Sequence, residues 1–205
     1  INEVRELLGD LPTEMPGFLS DSTIRRFLHA RNWSSVQATK TLKEAVKWRR
    51  QYKPENIRWE DISEKENEVK RAYIPDYLDN NGRTVLVGRP SLKSVTSEKE
   101  QIKQLVYNLE NLTMNSGNAP ENVVWIINYF IEPGMKEKVK FVYANNSESL
   151  RIMADMFDLD KLESEFGGRN TSGIDIVEYS ARMQRRDRIR GGLEDENGNA
   201  STSLP

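Results

Sequence analysis

Residues 20–50 read SDSTIRRFLHARNWSSVQATKTLKEAVKWRR, and this stretch decides the first third of the fold. Ser20, Asp21 and Ser22 carry short oxygen-bearing side chains, which accept hydrogen bonds from the free N–H groups of a first helical turn. Ile24, Phe27, Leu28 and Arg31 then repeat at helical spacing. Asn32-Trp33 ends that helix. Ser34 caps a second, with Ala38, Leu42, Ala45 and Trp48 along one stripe. This helix runs to Tyr52 and stops before Pro54, a residue that cannot supply the next N–H. Upstream, residues 1–9 read as a short amphipathic helix with Val4, Leu7 and Leu8 inward, broken by Pro12, Pro16 and Gly17.

Downstream the pattern changes. After a short helix from Ser63 to Arg71, Tyr73–Leu78 and Thr84–Val87 flank Asp79-Asn80-Asn81-Gly82, which is hairpin turn chemistry. Ser97 and Glu100 form a capping box. It opens a helix carrying Ile102, Leu105, Val106, Leu109 and Leu112 on one face, with Gly117 beyond its end. Val123–Ile127 (VVWII) and Val139–Tyr143 (VKFVY) read as buried strands. Ser147 caps a helix with Leu150, Met153, Ala154 and Phe157. Residues 181–205 hold Arg182, Arg185, Arg186, Arg188 and Arg190 and then an acidic, Asn- and Ser-rich end, a composition that reads as a disordered tail. The fold class is α/β: a helical subdomain over residues 1–60, then a sheet with packed helices over 61–180.

Composition narrows the chemistry. The 205 residues carry 30 basic and 32 acidic side chains, so no global field draws in nucleic acid or an anionic membrane; any such binding comes from a local patch. There is no cysteine, which removes disulfides, thiolate nucleophiles and cysteine zinc sites. The lone histidine, His29, excludes a multi-histidine metal site and has no nucleophile at matching spacing. No apolar run approaches the roughly 20 residues that span a bilayer, and residues 1–9 carry no signal-peptide pattern. Cofactors and metals are not expected, nor is enzymatic chemistry: no nucleophile–base pair and no phosphate-cradling loop is present. Gly167-Gly168 reads as a turn, since no strand and helix flank it in dinucleotide-site order.

One joint is unusual. The strands near 123–129 and 138–143 are separated only by Phe130 to Glu137. Parallel neighbours need a crossover of a dozen or more residues, and none fits. An antiparallel pair would use Ile131-Glu132-Pro133-Gly134, which is no tight two-residue hairpin. Residue physics leaves two readings open: a long hairpin loop, or a missing internal segment.

The stretch from Asp21 to Arg49 resembles the helical opening of the CRAL-TRIO lipid-transfer family. The resemblance rests on the cap Asp21-Ser22-Thr23, the core Arg26, Phe27, Leu28, Ala30 and Arg31, the aromatic Trp33, and the helix ending Trp48-Arg49. It continues at NNGRTVLVGRP (80–90), VVWIIN (123–128), EPGMKEKVKFVY (132–143) and LESEFGG (162–168), so it runs from Ile1 to about Ser180 with one interruption. That interruption falls at 130/131. There the family has a helix, a turn bearing a glutamate, another pocket strand and a mobile gate helix. The resemblance thus favours an internal deletion, as in a splice isoform.

The resemblance implies a protein that shields one phospholipid, of phosphatidylinositol type, and transfers it between membranes. It implies a cytoplasmic protein, transiently membrane-associated, with neither nucleic acid nor metal as partner. Arg31 and Lys138 fall at two of the four family headgroup positions. Met135 stands where the family has a threonine, and the glutamate belongs to the missing turn. Val123, Trp125 and Ile127 share the strand face expected to line the pocket. Bland readings stand beside these: Arg31 as a helix-end cation, Lys138 as a solvated lysine among Lys136 and Lys140, and Trp33, Trp48, Trp59 and Trp125 as core. Loss of the pocket strand and gate helix would impair transfer. The alternative is an incomplete isoform acting as a protein-interaction module.

Overall fold

The computed structural model describes residues 1–62, 64–89, 96–115, 123–127 and 146–192. The chain divides into two compact units, Ile1–Asn56 and Ile57–Pro205. The break falls four residues before the boundary expected at 60/61. The reason is local: the backbone N–H of Trp59 donates to Asp187 at 2.6 Å, and the Trp59 ring packs on Tyr107 and Tyr179.

The first unit is helical: α1 (Asn2–Leu8), α2 (Leu11–Glu14), α3 (Asp21–Ala30) and α4 (Ser35–Tyr52). Ser20 caps α3 by accepting from the Thr23 N–H, and Ser34 caps α4 by accepting from the Gln37 N–H. The core is Val4, Leu8, Leu19, Ile24, Leu28, Ala38, Leu42 and Val46. Two expected inward residues are corrected. Leu7 is exposed because α1 turns Val4 and Leu8 inward. Trp48 is also exposed and stacks on Tyr52, while Val46 continues the buried line from Ala38 and Leu42. Ser35 donates to Glu3 and ties α4 to α1. The Arg49 guanidinium lies 4.7 Å from the centre of the Phe18 ring and pairs with Glu55 at 3.5 Å.

The second unit is built on a sheet of order β1-β2-β3. β1 (Ala72–Tyr73) pairs antiparallel with β2 (Thr84–Gly88), and a further bridge joins Leu78 to Thr84. The turn between them is closed by Asp79, whose carboxylate accepts from the N–H groups of Asn81 and Arg83. From β2 the chain passes through α6 (Glu98–Asn115) to β3 (Val123–Ile127), which pairs parallel with β2. This is the helical crossover that a parallel pair requires. The capping box holds: Glu100 accepts from the Ser97 backbone and hydroxyl, and Ser97 accepts from the Glu100 N–H. Before the sheet lies α5 (Glu64–Val69); after it come α7 (Ser147–Met156) and α8 (Ile176–Arg190). The cap of α7 is Asn146, which accepts from Ser149, so Ser147 is its first helical residue and not its cap. The expected strand 139–143 lies outside the described residues, as does the 130/131 joint.

The arginine-rich segment corrects a further expectation. α8 runs through Arg190, so the expected disorder from residue 181 does not hold there. Tyr179, Met183 and Asp187 recur every four residues and are buried, giving the helix a face that composition alone conceals. Asp175 caps it by accepting from Val177 and Glu178.

Candidate functional site

Arg31 stands at the C-cap of α3, exposed. Its Nε donates to Thr41 Oγ1 on α4 at 3.1 Å and its Nη1 to the Ala30 carbonyl at 3.3 Å. The turn that follows is left-handed at two successive side-chain-bearing residues, Asn32 (φ 50°) and Trp33 (φ 61°). The Trp33 N–H returns to the Leu28 carbonyl at 2.7 Å and closes the helix end. Arg31 is therefore a helix-end cation held in one orientation by a neighbouring helix. That geometry suits a phosphate clamp and equally suits a cap.

Val123, Trp125 and Ile127 fall on β3, where the register sets them level with Thr84, Leu86 and Gly88 of β2. The same register sets Val124 level with Val85 and Ile126 level with Val87. Ile126, Val85 and Val87 are all buried. Among the described residues no strand pairs with the far side of β3. The structure thus brings three expected pocket residues onto one strand. Arg31 belongs to the helical unit, and Lys138 lies outside the described residues. Of the tryptophans, Trp59 is core, whereas Trp33 and Trp48 are exposed. His29 is exposed and meets Trp33 edge-on.

Sequence reading missed three buried polar centres, all in the second unit. Glu163 accepts from the Tyr73 hydroxyl at 2.9 Å and from the Tyr77 hydroxyl at 2.5 Å. Arg89 completes this centre by donating to the Tyr73 oxygen, lying over the Tyr73 ring and pairing with Glu165. Burial, and then the Glu163 charge, pushes the Tyr73 hydroxyl well above its ordinary range. Tyr77 is raised by burial and by its hydrogen bond to Glu163, so both phenols stay protonated donors. Asp187 is the second centre: it accepts from the Trp59 N–H, from Tyr107 at 3.1 Å and from Arg190 at 2.8 Å. The third is Glu66, fully buried, which accepts from Arg71 at 3.3 Å and from Thr96. Each centre joins residues from distant parts of the chain, so no local spacing announces it.

The carboxylates of these centres are satisfied, whereas Arg89 Nε and Arg190 Nε and Nη1 beside them are buried without a hydrogen-bond partner among the described residues. Among the described residues no group of three His, Asp or Glu side chains is placed to hold a metal. No helix there is long and apolar enough to cross a membrane. The three centres tie separated segments of the second unit together.

No family model matches the chain. The chain is 32% identical over 120 residues to the SEC14 cytosolic factor of Kluyveromyces lactis, a match covering 54% of this chain and 38% of that protein. It is 30% identical over 121 residues to the SEC14 cytosolic factor of Candida glabrata, covering 53% and 39% respectively. The matches thus span less than half the length of these curated relatives. Together with the motifs between Asp21 and Arg49, they make the chain similar to SEC14 cytosolic factors over about half of its length.

Proposed function

We propose that this chain binds a phospholipid of phosphatidylinositol type, with Arg31 and Lys138 at the headgroup and Val123, Trp125 and Ile127 along the acyl chains. The observation that carries the reading is the identity to two SEC14 cytosolic factors over more than half of the chain. The exposed, Thr41-held guanidinium of Arg31 supports it. The driving force would be apolar, about 0.8 kcal/mol for each methylene taken from water. That force needs a closed wall, so transfer between membranes is impaired if the segment interrupted at 130/131 is missing. This is the function of a binding protein and not of an enzyme.

Native mass spectrometry after incubation with mixed phospholipid vesicles tests the reading. One bound phospholipid per chain is expected, lost in Arg31→Ala with the fold intact. A folded wild-type chain that takes up no lipid would overturn the reading and leave a protein-interaction module.

A further inference from the structure

The basic residues of this chain are unevenly placed. From Thr23 to Lys53, nine Lys and Arg face a single acidic residue, Glu44, although the whole chain is net negative. Within this stretch Val36, Lys40, Lys43 and Lys47 recur at helical spacing on α4 and form one stripe, all of them exposed. The buried residues Ala38, Leu42 and Val46 occupy the other side of the helix. Among the described residues Lys40, Lys43 and Lys47 make no hydrogen bond or ion pair, whereas Arg50 on the same helix is paired with Glu14.

At the N-terminal end of the stripe stand two large apolar side chains in water. Trp33 is 60% exposed and Val36 is 67% exposed. Trp33 also sits in the left-handed region, which side chains bearing a Cβ rarely adopt. The turn could be closed as well with a small polar residue at that place. An indole there adds little to the core and presents an amphipathic ring outward. Trp is suited to the boundary between water and lipid headgroups, and unpaired lysines are drawn to anionic lipid. Nucleic acid would also attract the lysines, and an indole can stack on a base. Val36 has no ring to stack, and an aliphatic side chain beside the indole favours a surface that both can enter.

From this conjunction we infer that the α3–α4 corner, with Trp33 and Val36 as the inserted tip and Lys40, Lys43 and Lys47 as the electrostatic face, docks the chain on anionic bilayers. The inference deepens the lipid-binding reading by naming the face that meets the membrane. It is separable from that reading, because the docking residues are not those assigned to the bound lipid.

The test is sedimentation of the full chain with vesicles of phosphatidylcholine alone or of phosphatidylcholine with phosphatidylserine. The wild type should sediment with the anionic vesicles, release as salt is raised, and stay free of the neutral ones. Each lysine neutralised in K40Q, K43Q and K47Q should cost about fivefold in partitioning at low salt. Trp33→Ala should weaken it severalfold with circular dichroism unchanged. Equal sedimentation of wild type, W33A and the triple lysine variant would overturn the inference. So would tighter binding to duplex DNA than to the anionic vesicles, with the same variants losing it. Native mass spectrometry separates the two readings. Variants that keep a bound phospholipid but no longer sediment support this face. A wild type that sediments yet holds no lipid sinks the lipid-binding reading alone.

Discussion

Tyr77 and Glu163 lie 86 residues apart in sequence, yet the tyrosine hydroxyl donates to Glu163 Oε2 at 2.5 Å in the buried interior. The other carboxylate oxygen is taken by Tyr73 at 2.9 Å. One side chain thus ties the β1 end of the sheet and the segment after it to the turn before α8. Glu163→Gln keeps a single carbonyl acceptor and turns an N–H₂ towards a phenol that also donates. The expected loss is about 2 kcal/mol, and about 1 kcal/mol for Tyr77→Phe, which removes one bond but leaves Tyr73 as a partner. Urea unfolding with an unchanged slope measures both. Equal stability of wild type and E163Q would show that the carboxylate is not the organising acceptor.

How much of this was legible in the sequence depends on range. The caps at Ser20 and Ser34, the capping box of Ser97 and Glu100, and the Asp79 turn are local, and each is found as expected. The parallel pairing of β2 and β3 was not specified, because a strand's pattern does not name its partner. The helix α8 was hidden because its buried face includes Asp187 and its flanks are arginines, a pattern that reads as solvated. Its burial becomes intelligible only through Trp59, Tyr107 and Ile74, which arrive from far upstream. At the candidate site, only the resemblance nominates Arg31 and the β3 residues. Their surroundings are tertiary and had no local signal.

Arg186 and Asp187 are adjacent in sequence and opposite in energetic role. Asp187 is surrounded by donors: burial pushes its carboxyl above the ordinary range, and the Trp59 N–H, Arg190 and Tyr107 oppose that rise. Burial, reinforced by Arg182, pushes the Arg186 guanidinium down, and Nη1 is buried with no partner among the described residues. Removing Asp187 strands Arg190, Tyr107 and a backbone N–H, so Asp187→Ala should cost about 3–5 kcal/mol. Arg186→Met should be neutral or raise the thermal midpoint, since it removes a poorly compensated charge but keeps the apolar stem. Thermal unfolding of the two variants side by side checks this. A fall in R186M as large as in D187A would mean that the guanidinium is paired.

Asp79 supplies a pH dependence. Burial alone would raise its carboxyl, but hydrogen bonds from the Arg83 side chain and backbone, the Arg83 charge and the Asn81 N–H outweigh it and leave it lowered. The folded state therefore holds this proton more weakly than the unfolded chain does. Its stabilisation is complete above the ordinary value of 3.8 and is lost as pH falls through the lower folded value. Asp79→Asn should cost about 1–2 kcal/mol at neutral pH. The gap between wild type and D79N should close as acid is added below the ordinary aspartate value. A gap that stays constant into that range would assign the stabilisation to turn shape and not to the charge.

Gly168 is required by space and not by its dihedral angle. A Cβ built there would lie 1.9 Å from the Leu162 carbonyl oxygen and 2.4 Å from its carbon, both backbone atoms. That oxygen already accepts from the Asn170 N–H, and the Gly168 N–H donates to the Glu163 carbonyl, so neither strand of this turn is free to retreat. Gly167 differs: its φ of 91° is left-handed, but a Cβ there would meet only the flexible tip of Leu150. Gly173 is also left-handed, with open space around it. Alanine at Gly173 should cost about 1 kcal/mol for the dihedral alone, and at Gly167 somewhat more. At Gly168 the cost should be about 3 kcal/mol or greater, because the backbone carrying Glu163 must move. That displacement should also loosen the Tyr73 and Tyr77 hydroxyls, so G168A and E163Q combined should lose less than the sum of the two. Denaturant unfolding of the three alanine variants and the double variant decides it. Additivity would mean that the collision is absorbed locally, without reaching the buried carboxylate.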